Sequence, residues 1–174
     1  MHAMKISYCS EAVCLTIVPN KNAALISITE PNREAPIVTE GWGALLRVRF
    51  LDAELEKDMI VRLQEKNKNF SLKNKGFPHR EVSEQVIEFL RSIKNQITID
   101  EIIVHCKAGQ RRSAAVAKYA AEMFNAEFDH SYDQYNVMVY ELLRNPAMFD
   151  DVIAPDVGDS FIQKIKKSIF KVRL

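Results

Sequence analysis

The sequence has no apolar run that could cross a bilayer, since none approaches the roughly 20 residues a spanning helix needs. Net charge is nearly absent as well. Twenty-four Lys and Arg stand against 23 Asp and Glu, leaving +1. That balance argues against a nucleic-acid partner held by bulk charge, yet leaves room for a local basic site. Cysteine is scarce, and three of them, an odd number, make no disulfide framework. Cys9 and Cys14 have no metal-ligand spacing with any His. The first twenty residues lack a basic end followed by a continuous apolar core. A cytoplasmic setting is therefore expected, one that keeps thiols reduced. There is no internal repeat and no low-complexity tract.

What is present is enough for one sizeable core. A chain of 174 residues with 47% apolar content predicts a single domain spanning 1–174. Met1-His2-Ala3 ahead of Met4 are set apart as a candidate cloning remnant. Strands are expected at residues 5–9, 24–29, 44–50 and 102–104, with Leu46, Val48 and Phe50 on one face of the third. Ser10 is a good N-cap for a short helix ending before Pro19. Further helices are expected at 53–69, with Leu55, Met59, Ile60 and Leu63 inward, and at 80–93, with Val82, Val86, Phe89, Leu90 and Ile93 at helical spacing. Others follow at 112–124, at 131–143 before Asn145-Pro146, and at 160–172. Residues 30–43 carry Pro31, Pro36, Gly41 and Gly43 and read as a loop with Trp42 as a core plug; 70–79 read as a polar loop. Strands alternating with helices predict an α/β fold with a central, mainly parallel sheet flanked by helices on both faces. Ligands of such sheets bind beyond the carboxyl ends of the strands.

One short segment carries chemistry. His105-Cys106-Lys107-Ala108-Gly109-Gln110-Arg111-Arg112-Ser113 reads H-C-x-x-G-x-x-R-S. Five fixed positions, each matched about 1 time in 20, make a chance occurrence in this chain on the order of 10⁻⁴ or less. The segment joins an expected strand to an expected helix, an arrangement that aims amides and a helix N-terminus at an anion. Cys106 is the candidate nucleophile; thiolate is the attacking species, and a helix N-terminus with nearby cations favours it. Arg112 has a planar fork that can hold two phosphoryl oxygens, which Lys cannot do. Gly109 permits backbone geometry closed to other residues or a close approach to ligand. Ser113 can donate to the Cys106 sulfur, and His105 is expected to orient the loop through hydrogen bonds. Lys107, Ala108, Gly109, Gln110, Arg111 and Arg112 form the candidate phosphate cradle, Gln110 through its backbone N–H. The rival reading is a buried core cysteine; the joint presence of His105, Gly109, Arg112 and Ser113 weighs against it.

At these residues the chain resembles the cysteine-dependent protein tyrosine phosphatase superfamily, most closely its small dual-specificity-like, bacterial-type branch. Weaker echoes lie at 26–31, at 46–52 and at 135–143. The resemblance implies a thiolate mechanism with a phosphocysteine intermediate that water then hydrolyses, and it implies no metal or organic cofactor. It implies a phosphorylated protein or small phosphate ester as partner, with phosphate or sulfate able to occupy the loop. It also implies a general acid, for which Asp52 is the choice because it follows the 44–50 strand. Two departures bear on that choice. Asp52 and Cys106 are 54 residues apart, longer than usual for the branch, and Leu51 fills the slot where the bacterial members often place a first Asp. Glu54, Glu56 and Asp58 are rival acids, although acids at a helix start also suit the macrodipole. His79 and His130 fall in expected loops. Tyr135 and Asn136 are expected to pack under the loop. Competing functions are a catalytically silent phosphate-binding module, and a phosphatase for a non-protein phosphate such as an RNA 5′ end or a phosphoinositide.

Residues 160–174 are expected to form a docked helix. Phe161, Ile165, Ile169 and Val172 make one apolar face, while Lys164, Lys166, Lys167, Lys171 and Arg173 lie mostly elsewhere. A membrane-surface helix is the rival. The full chain should show no strong binding to anionic liposomes; strong binding lost on truncation after Asp159 would reverse this preference.

Overall fold

The computed structural model describes residues 3–38 and 40–153; the helix expected at 160–174 lies outside them. Four strands form one sheet: β1 (Lys5–Ser10), β2 (Ala23–Thr29), β3 (Ala44–Arg49) and β4 (Glu101–Cys106). Their order is β1-β4-β2-β3, and all three pairings are parallel. The helices are α1 (Glu11–Cys14), α2 (Lys57–Lys66), α3 (Arg80–Lys94), α4 (Arg112–Phe124) and α5 (Val137–Arg144). This is an α/β fold, as expected. No helix among the described residues is long and apolar enough to cross a membrane.

The two faces of the sheet are covered unequally. On one face Ala24, Ile26, Ile28, Val48, Phe50, Ile102 and Val104 meet apolar stripes of α3, α4 and α5. The stripe of α3 is the one read from spacing: Val82, Val86, Leu90 and Ile93 are buried, with Phe89 beside them. The small residues Ala115, Val116, Ala117 and Ala120 let α4 lie close on the strands. The other face is thinner. Leu25 and Ile103 are covered by Cys14 of one-turn α1, by Val38 and by a half-buried Trp42. The plug role expected for Trp42 holds in this sense, but the helices α3, α4 and α5 all lie on the first face. The β1–β2 connection, residues 11–22, holds a helix of only four residues.

Three local expectations differ from what the chain does. The helix expected from residue 53 begins at Lys57, because residues 52–55 bond to the start of α5 instead: Asn136 donates to Ala53 O, and Leu55 N–H donates to Met138 Sδ. With that start, Ile60 and Leu63 face inward while Met59 is half exposed. The helix expected from residue 131 begins at Val137, since Asp129 Oδ1 draws the Ser131 amide and hydroxyl into a turn and Asn136 caps the helix. Finally, the 70–79 loop is not wholly polar. Phe70 and Leu72 are buried with Ile60, Met138, Leu142 and Phe149 in a satellite core.

Leu90 is fully buried in the main core. Leu90→Ala should cost about 2–5 kcal/mol, whereas Ile97→Ala, at a fully exposed position, should change stability by less than about 0.5 kcal/mol. Urea denaturation of both variants checks the assignment of core and surface.

Candidate functional site

A parallel sheet brings the carboxyl ends of all its strands to one edge, and each strand contributes something there. At the end of β4, Cys106 opens the H-C-x-x-G-x-x-R-S loop, which runs into α4 at Arg112. Cys106 is buried, and its Sγ has two neighbours able to donate. The Gly109 N–H donates to it at 3.3 Å, and Ser113 Oγ lies 3.2 Å away. No side chain caps α4, so its first amides are without intrahelical partners, and the positive end of its dipole faces the loop.

Gly109 is needed for two reasons. Its φ is +71°, and a Cβ there would stand 2.2 Å from Ser10 N and 2.4 Å from the Cys9 carbonyl carbon. The loop thus lies backbone to backbone on the β1–α1 turn, with the Glu11 N–H donating to Lys107 O at 3.4 Å. Glu11 is itself buried and accepts two bonds from Arg33, at 2.6 and 2.5 Å. Bonding to that guanidinium holds its carboxyl below the usual range against the effect of burial. Lys107 Nζ is exposed, with Glu11 Oε1 3.8 Å away.

Arg112 is 3% exposed, and a charge so placed must be paired. Its Nη1 donates to Phe50 O at 2.9 Å, just beyond β3, and its Nη2 to Glu30 Oε1 at 2.5 Å, just beyond β2. Burial opposes ionisation of Glu30, but the bond and charge of Arg112 prevail and lower its pKa. Arg112 Nε is buried with no partner among the described residues. Glu30 was not singled out from sequence, although its place after β2 matches those of Asp52 after β3 and Cys106 after β4.

Asp52 does meet the loop, across 59 residues of sequence. Arg111 Nε donates to Asp52 Oδ1 at 3.3 Å, and Asn136 Nδ2 donates to the same oxygen at 2.8 Å. Of the rival acids, Glu54 accepts from Arg111 Nη2 at 2.6 Å and from the Val137 N–H at 2.9 Å. Glu56 and Asp58 stand at the start of α2. Asn136 lies beneath the loop as expected, with its N–H donating to Arg111 O at 3.1 Å. Tyr132, not singled out earlier, donates its hydroxyl to Gln110 O at 2.9 Å. Burial raises its pKa, and the nearby Cys106 adds to that. His79 bonds the Phe77 carbonyl, away from the loop.

His105 departs from its expected role. Side chains alternate along a strand, so His105 faces the thinly covered side of the sheet, opposite to Cys106. It is 1% exposed, and neither ring nitrogen has a hydrogen-bond partner among the described residues. Its pKa is lowered, chiefly by burial; Glu11 and the Cys106 carbonyl oppose this only in part. No three of His, Cys, Asp and Glu among the described residues are grouped to hold a metal ion.

These elements define an α/β fold with a cysteine- and arginine-bearing loop at the carboxyl edge of a parallel sheet. No family model matches the chain, and neither do any curated protein or solved structure.

The lowered His105 pKa sets the sign of a pH effect. Native His105 resists a proton that the unfolded imidazole takes up as the pH falls below about 6.5. Unfolding then binds protons, so stability is full above that pH and declines as the pH falls through the native value. The depressed Glu11 and Glu30 act only at lower pH, below about 4.3. Melting temperatures measured from about pH 7 to pH 5 should fall for the wild type and fall less for His105→Gln. Parallel curves would assign the decline to other groups.

Proposed function

We propose that the chain is a phosphoester hydrolase with a thiolate nucleophile, acting on phosphotyrosine, with phosphoserine and phosphothreonine as further candidates. The observation that carries this reading is the guanidinium of Arg112. Two of its nitrogens are bound by Phe50 O and Glu30, which fixes its plane. Its Nε–H is buried without an acceptor among the described residues. A donor left in that state is costly unless an acceptor arrives. An oxyanion seated in the loop would supply one, and the free amides at the start of α4 would serve its other oxygens.

Cys106 Sγ then attacks phosphorus. The S–P bond forms as the bond from phosphorus to the leaving oxygen breaks. Asp52 gives its proton to that oxygen, a step typically worth roughly 10²–10⁴ in rate. Gly109 N–H and Ser113 Oγ, both within reach of the sulfur, stabilise its negative charge before attack and again when it departs. In the second step Asp52 takes a proton from water, which attacks phosphocysteine and releases phosphate. Arg111 and Asn136 bring Asp52 to the loop and support this assignment. Glu54, which shares the Arg111 guanidinium with Asp52, is the second acid candidate.

Hydrolysis of para-nitrophenyl phosphate tests the reading. Cys106→Ser should abolish turnover yet still bind phosphate, since the cradle persists while the nucleophile weakens. Arg112→Lys should lose most activity, because a point charge cannot replace the fork. Asp52→Asn should slow poor leaving groups strongly and para-nitrophenolate less. Wild-type turnover in Cys106→Ser would rule the mechanism out. A panel of phosphotyrosine and phosphoserine peptides, phosphoinositides and RNA 5′ ends ranks the substrates.

A further inference from the structure

We propose that Asn136 is a positioning residue for Asp52, setting the height of that carboxyl over the Cys106 loop. The role rests on the phosphatase reading above, since it assigns Asn136 a task within that reaction. Asn136 is fully buried, and each of its polar groups is engaged. Its N–H donates to Arg111 O at 3.1 Å, in the last loop residue before α4, and its carbonyl accepts the Tyr140 N–H at 3.1 Å. Its Oδ1 accepts the Val139 N–H at 2.9 Å and so caps α5. That leaves Nδ2, which donates to Asp52 Oδ1 at 2.8 Å and to Ala53 O at 3.1 Å.

The geometry allows little play. The side-chain amide is planar, and with its oxygen fixed by the helix cap its nitrogen must point at residues 52–53. The same residue is fixed through its backbone to the loop. One buried side chain therefore sets the spacing between acid and loop, although the two lie far apart in sequence. Arg111 gives Asp52 a second hold, but at 3.3 Å and from a side chain 43% exposed, where solvent weakens a charge pair. Proton delivery depends on such placement, since an error of about 1 Å can cost on the order of 10²-fold in rate.

Asn136→Ser separates this role from that of helix cap. Ser is a good N-cap, but its hydroxyl is too short to reach Asp52 as the amide does. The melting temperature should stay within about 4 °C of the wild type. On a phosphotyrosine peptide, kcat should fall about 10–100-fold with KM within about twofold. On para-nitrophenyl phosphate the loss should be smaller, because that leaving group needs its proton less. In an Asp52→Asn background the same substitution should cost less than about twofold more. An equal loss in both backgrounds would mark a merely structural role and overturn the proposal, as would unchanged kcat in Asn136→Ser. If Asn136→Ser does not fold, Asn136→Asp keeps the capping oxygen and the side-chain shape but removes the donor to Asp52. Wild-type kcat there would equally overturn the proposal, and a loss that depends on Asp52 would support it. Each of these variants retains Cys106, so the positioning role can fail while the thiolate mechanism stands.

Discussion

A buried guanidinium holds the working edge of this protein together. Arg112 belongs to the loop after β4, yet its bonds run to the carbonyl just past β3 and the carboxylate just past β2. Three strand ends are thereby fixed to one side chain. An unpaired charge at that depth would cost several kcal/mol, so the loop cannot leave its place without stranding both the cation and Glu30. Shape follows from charge here. Because Arg112 is held, α4 starts where it does, and Ser113 in its first turn comes within 3.2 Å of Cys106.

The two faces of the sheet differ in chemistry as well as in cover. On the helical face the core is apolar up to the loop. On the other face Ser27 Oγ, both nitrogens of His105 and Trp42 Nε1 are buried without partners among the described residues. Ser27 and His105 are neighbours in the register of β2 and β4. A one-turn helix and a loop thus close over polar groups, and sites of this kind are where structural water belongs. Cys106 faces the tightly packed side and its histidine neighbour the looser one, one residue apart in the strand.

Much of this was legible in the sequence, for identifiable reasons. Val82, Val86, Leu90 and Ile93 repeat at helical spacing, and the face of α3 that they mark is buried. A β-branched run marked β4, one-sided Leu46, Val48 and Phe50 marked β3, β1 showed only weak alternation, and alternation of strands with helices gave a parallel sheet. The loop was legible because its residues are contiguous. What failed were boundaries governed by contacts distant in sequence. Residues 53–56 have helix-forming composition, but bonds to Asn136 and Met138 take them out of the helix. Residues 129–136 include Asp129, Asp133 and Asn136, turn and cap formers, and the stretch from 131 was read as helix. Glu30, and the bond from Asn136 to Asp52, were hidden for a related reason: each joins partners more than 80 positions apart. The uneven cover was not legible at all, because periodicity reports which side of an element is apolar and not what lies against it.

The strand order has a consequence for how the chain comes together. Among the described residues β1 has a single partner strand, β4, and Lys5 pairs with Glu101. During synthesis, therefore, β1 must wait for most of the domain to be made before any neighbour exists for it. β2 and β3 can pair early, since Ala24 meets Ala44, but they form only half a sheet. The arrival of β4 joins the halves through contacts of long sequence separation, the kind that slow folding. That same strand carries Cys106. The turn that Gly109 presses against, at Ser10, belongs to β1. Closing the sheet and shaping the Cys106 loop are consequently one event, so a half-made chain has the thiol but not the loop that surrounds it.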